Sequence, residues 1–117
     1  MEAKGTLRYV VLHHTGIEKP HFDLMLETAA GSGLATWRMG GWPLQTGMPM
    51  EHLAEHRRDY LEYQGPLSGN RGEVCRVAAG THSVLQDDPA LLIVRLDDTC
   101  VLRLFRTPKC TAQVLRA

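Results

Sequence analysis

The sequence has no excess of charge of either sign: thirteen Lys and Arg residues balance thirteen Asp and Glu. A protein that coats long stretches of nucleic acid needs a strong positive field, so neutrality argues against that class, whereas holding one terminal phosphate needs only a few local cations. Cysteine is scarce, and Cys75, Cys100 and Cys110 form no CxxC pair. That removes zinc-ribbon and dithiol redox motifs and leaves buried thiols as the expectation. Long hydrophobic runs are missing too. No window approaches the roughly 18 apolar residues of a membrane span, and the opening MEAKGTLRYVV has no apolar stretch followed by a small-residue cleavage site. The expectation is a cytoplasmic protein with no membrane partner. Internal repeats, low-complexity tracts and interdomain linkers are absent, so residues 1–117 read as one domain.

What is present is the composition of a folded globule, 44% hydrophobic and 22% charged. Leu7 to His14 is rich in Leu, Tyr and Val and reads as a strand, and the turn-prone stretch from Thr15 to Pro20 joins it to a second run, His21 to Glu27. In that run Phe22, Leu24 and Leu26 alternate with His21, Asp23, Met25 and Glu27, giving one apolar face and one dominated by polar groups. Ala29 to Gly33 reads as a hairpin turn into a third strand, Leu34 to Met39, ended by Gly40 and Gly41. Good helix formers between Met50 and Tyr63 predict a short helix or two helical turns. Short strands are expected at Glu73 to Ala78, Ser83 to Gln86, Leu91 to Leu96 and Val101 to Arg106, with a last one around Val114 and Leu115. The whole predicts a mainly β protein, a small closed β-barrel of about six to eight short strands with one or two short helices, an architecture that leaves no sheet edge open.

Two clusters carry chemistry. His21 and Asp23 lie two residues apart on a strand and point the same way, and a histidine at the end of the preceding strand would complete a His/His/carboxylate set suited to Mn²⁺, Fe²⁺ or Zn²⁺. His13 and His14 point to opposite faces, and residue order does not choose between them. The competing reading is a solvated surface pair. In the second cluster, His56 and Tyr60 are four apart and would share one face of a helical turn beside Arg57 and Arg58. Such donors can hold a phosphate, although a solvated helix face with Tyr60 partly buried has the same pattern. Trp37 and Trp42 read as core or interface residues.

RYVVLHH at the front, HFDLMLE at His21 to Glu27, LATWRM at Leu34 to Met39, and EHRRDYLEYQGPLSGNRGEVCRVAAGT at Glu55 to Thr81 follow one another in the order of the 3′-phosphoesterase domain of bacterial DNA ligase D, and the chain resembles short stand-alone relatives of that domain. The resemblance implies a β-barrel with small flanking helices, metal ligands at His14, His21 and Asp23, and phosphate-contacting residues at His56 and Tyr60. It implies Mn²⁺ as cofactor, with another divalent transition metal as the alternative. The implied activity is removal of a 3′-terminal ribonucleoside or 3′-phosphate from a nucleic-acid end in DNA repair, with a repair ligase or polymerase as possible partner.

Several positions depart from the pattern. Met25 stands where the family has an arginine, Gln64 where it is acidic, and the stretch after Trp37 lacks a later lysine. Methionine cannot supply a guanidinium's charge or donors, so a substitute cation is required. Arg71, in the Gly-rich turn, is the first choice for that catalytic role, ahead of Arg57 and Arg58. Two rival functions share the same residues: a non-catalytic metal- or phosphate-binding module of a repair system, and a phosphoesterase acting on another small phosphoester.

Overall fold

The computed structural model describes residues 6–28 and 33–116. Its strands are β1 (Leu7–Thr15), β2 (His21–Leu26), β3 (Leu34–Met39), β4 (Pro49–His56), β5 (Gly65–Pro66), β6 (Glu73–Asp88), β7 (Leu91–Leu96), β8 (Cys100–Phe105), β9 (Cys110–Thr111) and β10 (Gln113–Arg116), with one 3₁₀ turn at Arg58–Leu61. All pairings are antiparallel. The order β10-β8-β7-β6-β1-β2-β3-β4-β9 forms a nearly closed, barrel-shaped sheet, and β5 adds to β6.

Closure follows from one short stretch of chain. The two sheet edges, β9 and β10, are separated only by Ala112, whose carbonyl accepts from the Gly47 amide and whose amide donates to the Met48 carbonyl, both at 2.9 Å. Thr46 extends the seam: its hydroxyl donates to the Val114 carbonyl at 3.3 Å and accepts from the Val114 amide at 3.0 Å. A strand running from one edge to the other removes the open edge that would invite aggregation.

Alternation sorts the side chains into two layers. Tyr9, Val11, Leu24, Leu26, Trp37, Leu92, Val94 and Leu104 fill the barrel, and the Trp37 indole donates to the Phe105 carbonyl at 2.9 Å. Val10, Leu12, Met25, Leu34 and Val74 face outward but are buried beneath Leu61 of the 3₁₀ turn, with Tyr60 and Leu67 packed on them. The outer face of the second strand keeps His21, Asp23 and Glu27 but is largely closed to solvent: Asp23 is 4% and Met25 2% exposed.

The expected helix between Met50 and Tyr63 is instead β4 followed by the 3₁₀ turn. β3 would otherwise be an edge, and its pairing with β4 in the register Met39↔Met50, Trp37↔His52 and Thr36↔Leu53 outweighs the helix propensity of Glu, Leu and Ala. The separate strands expected at Glu73–Ala78 and Ser83–Gln86 are one strand, β6. Gly80 lies within it because a Cβ there would come 2.2 Å from Asp97 Oδ1, a carboxylate that takes the Thr81 amide at 3.0 Å and the Tyr9 hydroxyl at 2.5 Å. The hairpin expected at Ala29–Gly33 lies, apart from Gly33, outside the described residues. Buried thiols were expected, yet Cys75, opposite His13 near the end of the β1–β6 pairing, is exposed, and Cys100 and Cys110 are half-buried. Among the described residues no helix is long and apolar enough to cross a membrane.

Candidate metal and phosphate site

Strand register builds the first cluster on the outer face of the barrel. β1 and β2 pair with His14 opposite His21 and His13 opposite Phe22. The adjacent histidines thus part company: His13 stacks on Phe22 with ring centroids 4.1 Å apart, while the His14 and His21 rings meet edge to face at 4.9 Å. Asp23 shares the His21 face two residues on and is 4% exposed. One donor atom from each of His14, His21 and Asp23 lies within 4.8 Å of the others. Metal–ligand bonds of about 2.1 Å place donors roughly 3 to 3.5 Å apart, so small side-chain rotations would close the set.

The tautomers favour a cation here. The His21 Nδ1–H donates to the Lys19 carbonyl at 3.0 Å, which leaves Nε2 as a lone pair; that nitrogen is buried without a hydrogen-bond partner, 3.5 Å from Asp23 Oδ2. A lone pair facing a carboxylate calls for a positive charge between them. Burial holds the His21 pKa below its ordinary value despite the neighbouring carboxylate, so the ring is neutral at pH 7 and available as a ligand. His14 Nε2 is 2.6 Å from the Arg71 carbonyl, to which only an N–H can bond, leaving Nδ1 with the lone pair. Each imidazole is thus anchored to a backbone carbonyl through one nitrogen, the arrangement that fixes metal-binding histidines. The residues fit a divalent transition metal.

Close contact of two glycines places the Arg71 carbonyl. Gly72 has φ 77°, and a Cβ there would lie 2.1 Å from the Thr15 carbonyl, so only glycine lets the turn after Arg71 press against the end of β1. A Cβ on Gly16 would in turn meet the Gly72 Cα at 3.2 Å.

His56, Tyr60 and Arg71 form a second cluster in an adjoining depression of about 620 Å³ that also includes Arg57 and Ser68. The His56 and Tyr60 rings are 6.0 Å apart, as neighbours on a strand end and a 3₁₀ turn and not on a shared helical face. His56 Nδ1–H donates to the Ala54 carbonyl at 3.0 Å, leaving Nε2 free for a ligand. Since His56 pairs with Leu34 and Glu51 with Arg38, the two clusters are separated by four residues of β3, about 13 Å along the strand. Arg71 joins them, its carbonyl on His14 and its guanidinium in the depression, where Nε donates to the Ser68 carbonyl at 2.8 Å and Nη2 to the Ser68 hydroxyl at 3.1 Å.

The cations expected to replace the arginine at position 25 fare differently. Arg58 is paired with Glu27, whereas Arg57 is exposed at the rim of the depression. The residue that sequence reasoning missed is Arg38. It lies opposite Asp23 in the β2–β3 register, and its Nε and Nη2 donate to Asp23 Oδ1 and Oδ2 at 3.0 and 3.4 Å. Its position next to the inward-facing Trp37 was the available signal, because it must then share the outer face with Asp23. Gln64 also has a place in the frame: its side-chain carbonyl accepts from the Arg76 amide at 2.8 Å, beside the irregularity in the β1–β6 pairing. No protein-family profile and no curated protein matches the chain.

Proposed function

We propose that the protein is a cytoplasmic, divalent-metal-dependent phosphoesterase that acts on nucleic-acid 3′ ends, removing a terminal ribonucleoside or 3′-phosphate, with Mn²⁺ as its metal. The observation that carries the reading is the buried, partnerless Nε2 of His21 facing the Asp23 carboxylate beside His14. The substrate class is supported by the ordered motifs shared with the ligase D 3′-phosphoesterase domain and by a charge balance suited to a single terminal phosphate.

His14, His21 and Asp23 would hold the metal, which supplies Lewis-acid polarisation of a phosphoryl oxygen and lowers the pKa of bound water. His21 is oriented by its bond to the Lys19 carbonyl, and burial lowers its pKa and keeps the ring available as a ligand. In the depression about 13 Å along the strand from the metal ligands, Tyr60, the guanidinium of Arg71 and His56, held through Nδ1, would contact another phosphate of the nucleic-acid strand. Removing the ribonucleoside leaves a 3′-phosphate, and hydrolysis of that phosphate leaves a 3′-hydroxyl on which a repair ligase or polymerase would act.

A specific observation favours a second reading, a binding module without turnover: Arg38 covers both Asp23 oxygens. The deciding experiment is hydrolysis of a DNA primer-template ending in one 3′-ribonucleotide or a 3′-phosphate, with and without Mn²⁺, by wild type and His21→Ala. Turnover that requires both Mn²⁺ and His21 supports the enzyme. Folded, metal-loaded wild type that leaves both substrates intact supports the binding module.

A further inference from the structure

Asp23 is nearly closed to solvent, with a side chain 6% exposed, but its partner Arg38 is 33% exposed. The guanidinium thus reaches solvent at the lip of a groove of about 800 Å³, next to His21 and facing Glu51 across the β3–β4 register. The groove is mostly apolar, with Ile17, Pro20, Met39 and Met50 among its walls, and it holds Lys19 and Lys109 together with Glu18 and Glu51. Among the described residues neither lysine has an ion pair. Arg58 is held by Glu27, Arg71 is folded onto Ser68, and Met25 is packed under Leu61. Arg38 is thus the guanidinium in direct contact with the candidate metal ligands.

A metal coordinated by Asp23 must take at least one of the two oxygens that Arg38 now occupies. A divalent cation at that carboxylate also repels the guanidinium, so metal binding and the present Arg38–Asp23 pairing compete. Displaced, Arg38 remains tethered beside the metal by its strand, with Glu51 across from it, and its planar fork of donors suits two phosphoryl oxygens. We propose that Arg38 is the phosphate-binding cation of this site: it neutralises Asp23 in the metal-free protein and turns to the phosphoryl group of the ester once metal is bound. The groove beyond it, with its two lysines and apolar wall, takes the part of the ester that continues from that phosphate. The inference rests on the metal site of the proposed function and adds the residue that would contact its substrate.

The test has two readouts on wild type, Arg38→Gln and Arg38→Lys: Mn²⁺ affinity by electron paramagnetic resonance, and inorganic phosphate binding to the Mn²⁺-loaded proteins by calorimetry. Arg38→Gln should bind Mn²⁺ several-fold more tightly, because Asp23 is released, and should bind phosphate about tenfold or more weakly, since a charge-assisted fork is lost. Arg38→Lys should keep Mn²⁺ binding with intermediate phosphate affinity, and it carries the test if the glutamine variant fails to fold. Unchanged phosphate affinity, loss of metal and phosphate binding together, or a loaded wild type that does not bind phosphate would each overturn the proposal. The two readings fail separately. A wild type that binds phosphate through Arg38 yet hydrolyses no 3′ end counts against the phosphoesterase alone, while full hydrolysis by Arg38→Gln counts against Arg38 alone.

Discussion

Met25→Ala should loosen the layer that docks the Tyr60 turn onto the barrel, and the size of the effect follows from the packing. Met25 is 2% exposed, among Val10, Leu12, Leu34, Leu61 and Val74. Truncating a buried methionine to alanine costs about 2–5 kcal/mol, the spread reflecting how far the neighbours close the cavity. Leu12 and Leu34 are fixed in the sheet, which favours the upper half, whereas Leu61 belongs to a four-residue 3₁₀ turn and can settle inward. A loss of about 3 kcal/mol is expected, which for a domain of this size lowers Tm by roughly 10 to 15 °C. Thermal unfolding followed by circular dichroism measures it, with Val77→Ala on the exposed face of β6 as a control; Val77 is 44% exposed, and surface changes of this kind stay within about 0.5 kcal/mol. Met25→Leu, which nearly conserves volume, should cost less than about 1.5 kcal/mol. If Met25→Ala melts with the Val77→Ala control, Met25 is not a packing residue and the account of the missing arginine is wrong.

Burial lowers the pKa of His82, His21 and His52 in the folded protein. The unfolded chain therefore binds more protons than the folded one once pH falls below the ordinary histidine value of about 6.5, so stability is full above that pH and declines beneath it. Tm in metal-free buffer should fall between pH 7.5 and 5, and a flat profile would contradict the buried neutral rings. Gly80→Ala should cost about 1–3 kcal/mol, because its Cβ would displace Asp97 from the Tyr9 hydroxyl and the Thr81 amide. An unchanged midpoint in urea would show that the strand gives way without breaking those bonds.

β3 and β7 were readable from the sequence to the residue, because their apolar runs end at clear turn signals, and β1, β2 and β8 to within a residue. β4 was not, since its residues favour helix and only pairing with β3 makes them a strand. The length of β6 was hidden for a related reason: Gly80 signals a turn locally, but its role is close approach to Asp97, seventeen residues on in the chain. The first cluster was legible because HxD on a strand needs no knowledge of distant contacts; parity admitted only one of His13 and His14 to it, and the β1–β2 register, with His14 opposite His21, made the choice. His56 and Tyr60 do adjoin, though through a strand end and a 3₁₀ turn instead of the helix that suggested it. Arg38 was lost because finding it needs the β2–β3 register, which a strand pattern alone does not state.

The most direct test of the account is a Mn²⁺ titration of wild type and His21→Ala, read by electron paramagnetic resonance with circular dichroism to verify folding. The account predicts one bound Mn²⁺ in wild type and an affinity at least about tenfold weaker in the variant, as expected when a first-rank ligand is removed from a three-residue set. Equal binding by the two proteins, or no binding by folded wild type, would contradict it.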